Sequence, residues 1–189
     1  MIELNGFHGT DKEKASVYDK KGFSLKRYTL GEETVNAQRN KPSKSPGSLG
    51  YGFYMFLDDR EMATLFSKKF HKEENIVIYE LELKIDEQNL LDLRNNEERK
   101  RYNAFFKSME EKIEERMKKM KKTNNHQSLA DGIALEFYCT YLKTRETIIV
   151  KSIMGESYTT DTKIRSFFNN CTEVCIRDGE IVSRFERCD

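Results

Sequence analysis

Apolar residues recur at every second position in several short stretches of the chain, a spacing that is typical of β-strands. This pattern predicts strands over residues 2–8, 51–56, 75–85 and 147–156, and a last one over residues 172–182. The stretch 75–85, "NIVIYELELKI", is the clearest of them, because apolar and polar side chains alternate over most of its length. Strands are therefore expected towards both ends of the chain.

Two short helices are predicted from helical spacing of apolar residues and from capping residues. The first covers residues 11–20, and either Thr10 or Asp11 is expected to be its N-cap, since both side chains can accept a hydrogen bond from a free backbone N–H. The second follows the strand 51–56 and begins at Asp58 or Asp59.

Longer helices are predicted in the middle of the chain. One covers residues 95–122, and a second covers residues 127–143 with Ser128 as its cap. Apolar residues at steps of three and four give the first helix one continuous stripe: Tyr102, Phe105, Phe106, Met109, Ile113, Met117 and Met120.

The order of these elements predicts a single α+β domain that covers residues 1–189. Residues 39–52 contain both prolines of the chain and several glycines, and they are expected to form a loop. The two helices of about 95–143 are expected to be an insertion into the strand-rich part of the domain.

Composition narrows the possible functions. The chain has 33 basic and 32 acidic residues, so it does not bind nucleic acid or membranes through its net charge. It contains no apolar run of membrane-spanning length and begins without a charged and apolar leader, so a cytoplasmic protein without a membrane partner is expected. Its 4 cysteines are then expected to be free thiols, and no metal site is expected.

Two residues lie in predicted strands at positions where a polar side chain requires an explanation. His8 ends the first predicted strand, and Glu173 lies inside the otherwise apolar last strand. A carboxylate that is wholly or partly buried costs free energy unless it is paired or used.

Three motifs place these two residues in a known context. "FHGT", then "GSLGYGFYMF" followed by a helix, and finally "TEVCIRDGEIV" occur in this order between residues 7 and 182. Together they resemble the ADP-ribosyltransferase superfamily, and within it the His-Tyr-Glu branch of diphtheria-type toxins and poly(ADP-ribose) polymerases. The resemblance implies a split β-sheet core and NAD as co-substrate.

The resemblance also implies a role for each matching residue. His8 would bind the ribose next to nicotinamide, and the backbone of Gly9 would hold the nicotinamide amide. Glu173 would stabilise the cationic ribose as the bond to nicotinamide breaks, in the way that carboxylates act in glycoside hydrolysis. Catalysis is thus assigned to Glu173, His8 and Tyr54, and cofactor binding to His8, Gly9, Thr10, Tyr51, Tyr54 and Phe66.

The aromatic residues have different expected roles. Tyr54 would stack on the nicotinamide ring, with Phe66 near the second stacking position and Tyr51 as a weaker candidate. Phe53 and Phe56 are expected to be core residues.

Each candidate also has a structural interpretation. His8 could be a core histidine, Gly9 a residue of a tight turn, and Glu173 a surface residue at a strand end. Glu136 is the other candidate carboxylate, but its helical setting and the missing motif after it argue against a catalytic role. Cys171 stands where arginine-modifying relatives have an acidic residue, which argues against arginine as the acceptor.

The expected function is that of a mono-ADP-ribosyltransferase acting as an intracellular toxin, either in a toxin–antitoxin pair or in phage defence. Its acceptor would be a protein, an RNA or a DNA, and an antitoxin is a possible protein partner. The same site could instead serve an NAD glycohydrolase, and a catalytically inactive module that binds ADP-ribose or a nucleotide is the third alternative. A basic cluster near residue 120 could contact phosphates, although such a cluster is more often a solvated helix end: Arg116, Lys118, Lys119, Lys121 and Lys122.

Overall fold

The computed structural model describes residues 1–26, 28–31, 45–120, 126–160 and 168–188. Within these residues the chain is α+β. Its strands are β1 (Ile2–Asp11), β2 (Phe53–Leu57), β3 (Ile76–Ile85), β4 (Leu90–Asp92), β5 (Ser152–Ser157), β6 (Cys171–Ile176) and β7 (Val182–Cys188). Its α-helices are α1 (Lys12–Lys21), α2 (Arg60–Lys68), α3 (Asn96–Ser108), α4 (Glu110–Lys119) and α5 (His126–Arg145).

The seven strands form one sheet in the order β4-β5-β6-β2-β1-β3-β7. All neighbouring strands are antiparallel except β4 and β5. The pair β1 and β2 in the middle of the sheet is the weakest, because only Gly6 with Leu57 and Phe7 with Phe56 are in register. The sheet therefore has two well-paired halves joined at a narrow place.

The described helices cover both faces of the sheet. On one face α3, α4 and α5 pack over β4 to β6, and α2 packs over β1 to β3. On the other face α1 and the segment after it cover a core that contains Tyr79 and Met55. The seven residues of the predicted stripe all belong to the layer of α3, α4 and α5, so the prediction of one buried face is confirmed.

Aspartates begin the two short helices. The Asp11 side chain accepts a hydrogen bond from the Lys14 N–H at 2.7 Å, and the Asp59 side chain accepts one from the Met62 N–H at 2.8 Å. Asp11 rather than Thr10 is thus the cap of α1, and Asp59 is the cap of α2.

Helix boundaries in the middle of the chain differ from the prediction. The expected helix over residues 95–122 is two helices, because the backbone leaves helical geometry at Met109 (φ −111°, ψ 6°). The apolar stripe continues across this break and therefore hides it in the sequence. The last helix begins at His126, so Ser128 lies inside it and is not its cap.

Three strand predictions also need correction. Strand β1 continues to Asp11, so "HGT" is not a turn, and β5 begins at Ser152 rather than at residue 147. The expected last strand is two strands, β6 and β7, separated by a 3₁₀ turn over Gly179–Ile181. Since β6 lies inside the sheet and β7 at its edge, this turn carries the chain from one half of the sheet to the other.

Parts of two predictions fall outside the described residues, namely residues 39–44 of the expected loop and Lys121 with Lys122 of the basic cluster. Lys118 and Lys119 are exposed at the C-terminal end of α4, while the Arg116 guanidinium donates a hydrogen bond to the Leu30 carbonyl. Cations at this end of a helix interact favourably with its dipole, which agrees with a solvated helix end.

Candidate active site

The narrow junction between β1 and β2 opens into a split next to His8. Past Phe7, β1 stays paired with β3 and β2 stays paired with β6, so the two strands separate. In the split, His8 Nδ1 lies 2.7 Å from the carbonyl oxygen of Tyr54. The His8 ring also packs against Phe53, with 4.1 Å between ring centroids. The His8 side chain thus hydrogen-bonds the Tyr54 carbonyl that a backbone N–H of a paired strand would otherwise bind.

A cavity of about 410 Å³, here called the split cavity, lies in this opening. The residues predicted for cofactor binding that line it are His8, Gly9, Thr10, Tyr54 and Phe66. Tyr51 and Glu173 lie outside its lining. Five of the seven predicted site residues are thus brought together around one space.

Gly9 is located where helix α2 approaches strand β1 most closely. A Cβ atom at this position would lie 2.7 Å from the Ala63 carbonyl oxygen and would collide with the Ser67 side chain. Glycine is therefore needed here for helix packing, and the predicted tight turn is wrong because Gly9 lies within β1. The neighbouring Thr10 is buried.

The Tyr54 hydroxyl is held by two hydrogen bonds. Its hydroxyl donates to the Gly50 carbonyl at 2.6 Å and accepts from the Leu49 N–H at 3.0 Å. Burial raises the pKa of this phenol well above its usual value, and the nearby Cys175 and Glu173 add to the rise. The hydroxyl end of the ring is therefore fixed against the loop before β2, and the phenol stays neutral.

Glu173 lies on the next strand and on the same face of the sheet as Tyr54. In the register of β2 and β6, Glu173 is opposite Phe56 and Tyr54 is opposite Cys175, so the two side chains are diagonal neighbours. Cβ atoms in such a pair are typically about 7–8 Å apart. The Glu173 side chain is buried, with 7% exposure, and its Oε2 accepts a hydrogen bond from Ser48 Oγ at 2.9 Å. The structural alternative, a surface glutamate at a strand end, is thus wrong, and Glu173 is an interior carboxylate.

The thiols on either side of Glu173 are unreactive at neutral pH. Burial raises the pKa of Cys171 to about 11, with a further contribution from the charge of Glu173. Burial also raises the pKa of Cys175 to about 12, against the influence of Arg177. Both side chains therefore stay protonated at neutral pH, and Glu173 is the carboxylate between them on this strand.

Tyr51 belongs to a structural contact and not to the split cavity. Its backbone N–H donates to Glu136 Oε1 at 2.8 Å, and the side chain is buried. Glu136 in turn forms a bidentate ion pair with Arg177, whose NH2 group lies 2.9 Å from Oε2. Glu136 thus fixes the chain before β2, which is a structural role.

The core roles predicted for Phe53 and Phe56 are confirmed, since both are buried. Phe66 packs between two other rings, 5.6 Å from Phe56 and 5.3 Å from Phe70. Its ring is therefore only partly available to a ligand.

Sequence reasoning missed several residues of the site, among them Ser67, Phe70 and Ser48. Ser67 lines the split cavity beside Gly9 with 2% exposure, and Phe70 lines its mouth with 67% exposure. Ser48 contacts Glu173 from the loop before β2. The position of Ser67 one turn after Ala63 is a weak signal of close helix packing, but Ser48 has no signal in the sequence because its contact spans 125 residues.

The described residues offer neither a cluster of metal ligands nor a membrane-spanning helix. They contain no group of three or more His, Cys, Asp or Glu side chains that could hold a metal ion. None of their helices is long and apolar enough to cross a bilayer. The 4 cysteines are free thiols.

Comparison with protein-family models, with curated proteins and with solved structures finds no match. The function is therefore argued from the geometry of the site and from the motifs.

Proposed function

We propose that this chain is an NAD-dependent mono-ADP-ribosyltransferase that transfers ADP-ribose to a macromolecule and releases nicotinamide. One observation carries the proposal: His8, Gly9 and Tyr54 line a single cavity in a split sheet, and the buried Glu173 stands one strand away on the same face as Tyr54. These residues come from the three motifs in the order found in the His-Tyr-Glu branch.

The split cavity offers groups that suit the nicotinamide end of NAD. The Tyr54 ring and the exposed ring of Phe70 are flat apolar surfaces, and rings stacked on such surfaces gain on the order of 1 kcal/mol per pair beyond burial. An imidazole such as that of His8 is suited to hydrogen-bond a ribose hydroxyl, and the Ser67 hydroxyl beside Gly9 suits the amide of nicotinamide.

Glu173 is the proposed catalytic group. Breaking the bond between nicotinamide and ribose builds positive charge on the sugar, and a carboxylate held in a poorly solvated site stabilises that charge more strongly than one in water. Ser48 holds one carboxylate oxygen in place, which leaves the other for the ribose 2′-hydroxyl or for the proton of the incoming acceptor. Glu173 thus serves both bond breaking and acceptor activation.

The architecture supports the same proposal. The two halves of the sheet, joined by two residue pairs, correspond to the split core that the motifs imply. Helices α3, α4 and α5 occupy the place of the expected insertion. A role as an intracellular toxin controlled by an antitoxin, or in phage defence, is the cellular part of the proposal and is inferred from the habits of the family.

The test is NAD turnover by Glu173→Gln. Gln keeps the shape of the side chain and can still accept from Ser48, but it carries no charge. We expect NAD binding within a few-fold of wild type and nicotinamide release lower by a factor of 10² or more, since single groups that stabilise a transition state electrostatically contribute about 10²–10³. Release of nicotinamide is followed by chromatography, and NAD binding by calorimetry.

Glu115→Gln is the matched control, because Glu115 is an exposed glutamate on α4. It should have wild-type activity. Wild-type nicotinamide release by Glu173→Gln would refute the assignment of the catalytic group. Binding of NAD without any turnover by the unaltered chain would favour the inactive binding module, and release of free ADP-ribose alone would favour the glycohydrolase.

A further inference from the structure

A second cavity lies on the far side of Glu173 from the split cavity. Glu173 is in β6, with β2 and the split on one side and β5 on the other. This second cavity, here called the β5 cavity, has a volume of about 320 Å³, within the range of small-ligand pockets. Its apolar wall consists of Leu49, Leu93, Tyr102 and Leu135.

One hydroxyl group separates the β5 cavity from the Glu173 carboxylate. Ser48 lines the cavity, and its Oγ donates to Glu173 Oε2 at 2.9 Å. Gly155, which also lines the cavity, is directly opposite Glu173 in the register of β5 and β6. A molecule in the β5 cavity would therefore approach Glu173 from the side opposite to NAD.

The inserted helices supply half of the polar groups of the β5 cavity. The Arg99 guanidinium and the Asn103 amide on α3 offer N–H donors, and the Asn169 amide, which donates to Glu156 Oε2 at 3.4 Å, is the second amide of the lining. Asp131 on α5 and Glu156 on β5 offer carboxylate acceptors. The cavity thus combines donors and acceptors around an apolar wall.

We propose that the β5 cavity binds the acceptor of ADP-ribose, and that this acceptor is a base of a single-stranded nucleic acid. The inference rests on the proposed function, because it uses Glu173 as the group that activates the acceptor. The edge of a nucleobase carries both donors and acceptors, and its flat face suits Tyr102 and the leucine side chains. A single strand is required because the bases of a duplex are stacked and paired, out of reach of a cavity.

Other acceptor groups fit this lining less well. Lysine and arginine side chains have donors only and would offer no acceptor to Asn103. They would also add nothing for Asn169 and Arg99, which already donate to Glu156 and Asn96. A lysine next to Asp131 and Glu156 would also be held in its protonated form, which has no lone pair for attack. An ionised acidic side chain that received ADP-ribose would have no N–H or O–H to donate to Asp131 and Glu156.

The transfer step balances with the groups present. A nitrogen of the base forms a bond to C1′ of the ribose while the bond from C1′ to nicotinamide breaks. The electron pair of the broken bond stays with nicotinamide, which leaves as a neutral molecule. The proton of the attacking nitrogen passes to the Glu173 carboxylate and then to solvent, so the products are the ADP-ribosylated base, nicotinamide and one proton.

The test separates transfer from NAD cleavage. The double variant Asn103→Ala with Glu156→Gln removes one donor and one charged acceptor of the β5 cavity, both on exposed residues. Labelled NAD is incubated with mixed-sequence single-stranded RNA, with the same sequence as DNA, and with lysate protein. We expect label on nucleic acid with the wild type, about tenfold less transfer with the double variant, and nicotinamide release without acceptor within about twofold of wild type, since two lost hydrogen bonds cost roughly a factor of ten.

The matched control is Glu74→Gln with Asn75→Ala, two exposed neighbours before β3 on the far side of the sheet, and it should transfer as the wild type does. Label on protein alone would overturn the nucleobase assignment, and undiminished transfer by the double variant would overturn the β5 cavity.

Binding gives a readout that does not depend on turnover. In the Glu173→Gln background, the oligonucleotide should bind, and adding the double substitution should weaken its binding about tenfold. Failure of oligonucleotide binding refutes this inference, whereas failure of the unaltered chain to cleave NAD refutes the proposed function itself.

Discussion

His8 illustrates how one contact determines the chemistry of a side chain. A neutral imidazole has one N–H and one acceptor nitrogen, and a backbone carbonyl can only accept. Because His8 Nδ1 lies 2.7 Å from the Tyr54 carbonyl oxygen, Nδ1 is the donor of the neutral ring. Nε2 is then its acceptor nitrogen, suited to the O–H of a ribose. The split between β1 and β2 thus sets the tautomer of the proposed binding group.

Replacing His8 by Asn or by Gln tests the roles of Nδ1 and Nε2 separately. The shorter Asn places its amide N–H near Nδ1 and has nothing at Nε2, so His8→Asn should keep the contact to Tyr54 and a near wild-type unfolding midpoint. Its NAD dissociation constant should rise by about 2- to 12-fold, the equivalent of one hydrogen bond of roughly 0.5–1.5 kcal/mol. Calorimetric titration with NAD and thermal denaturation measure the two quantities.

His8→Gln is the complementary variant. Its amide reaches the position of Nε2 and not that of Nδ1, so the Tyr54 carbonyl in the split loses its donor and the unfolding midpoint should fall below that of His8→Asn. If His8→Asn binds NAD as tightly as the wild type, the proposed contact to the ribose is refuted.

At the scale of elements, helix α5 and the end of β6 hold the loop before β2 in place. The Glu136–Arg177 pair is bidentate, with both side chains less than 10% exposed. Glu136 also accepts from the Tyr51 N–H, and its Oε1 lies 2.5 Å from where a Cβ of Gly50 would be. Gly50 has φ 86°, which glycine adopts at low cost. The loop that carries Ser48 to Glu173 is therefore fixed by two other elements.

Removing one partner of the Glu136–Arg177 pair should lower the free energy of unfolding. Glu136→Ala leaves the Arg177 charge buried without its carboxylate, and removing one partner of a buried pair typically costs about 3–5 kcal/mol of the free energy of unfolding. The double variant Glu136→Met with Arg177→Met should recover part of this loss, because it removes both charges. Urea denaturation measures the free energy of each variant.

Lys100→Gln is the control for the pair, because Lys100 and Glu97 form an ion pair in which both side chains are more than 70% exposed. This change should alter the free energy of unfolding by less than about 1 kcal/mol. Equal losses in Glu136→Ala and Lys100→Gln would show that the buried pair does not stabilise the loop.

The whole molecule shows which features a sequence can predict. Periodicity predicted the apolar stripe of α3 and α4, since burial of one face leaves a local pattern. It missed the break at Met109, because the stripe runs through it, and the split beside His8, because the loss of pairing between β1 and β2 is a property of distant residues. Five of the predicted site residues line the split cavity, whereas the place of Ser67 there depends on how α2 packs.

Buried acidic groups beside the candidate site make the stability of the whole molecule depend on pH. Burial raises the pKa of Cys175 from 9.0 to about 12, and it raises the pKa of the neighbouring Tyr54 well above 10.0. Well below pH 9 both groups are protonated in the folded and in the unfolded chain and do not affect the balance between the two states. Above this pH the unfolded chain loses protons that the folded chain keeps, so unfolding releases protons and the free energy of unfolding falls as pH rises.

We therefore expect the unfolding midpoint to fall between pH 9 and pH 10.5, and to fall less steeply in Cys175→Ala, which removes one of these groups. Thermal denaturation at half-unit steps from pH 7.5 to pH 10.5 measures both slopes. The slope is compared and not the midpoint itself, because the smaller side chain also leaves a cavity in the core and lowers stability at every pH. A wild-type midpoint that stays constant to pH 10.5, or equal slopes in the two proteins, would mean that the Cys175 thiol is not held protonated by the fold.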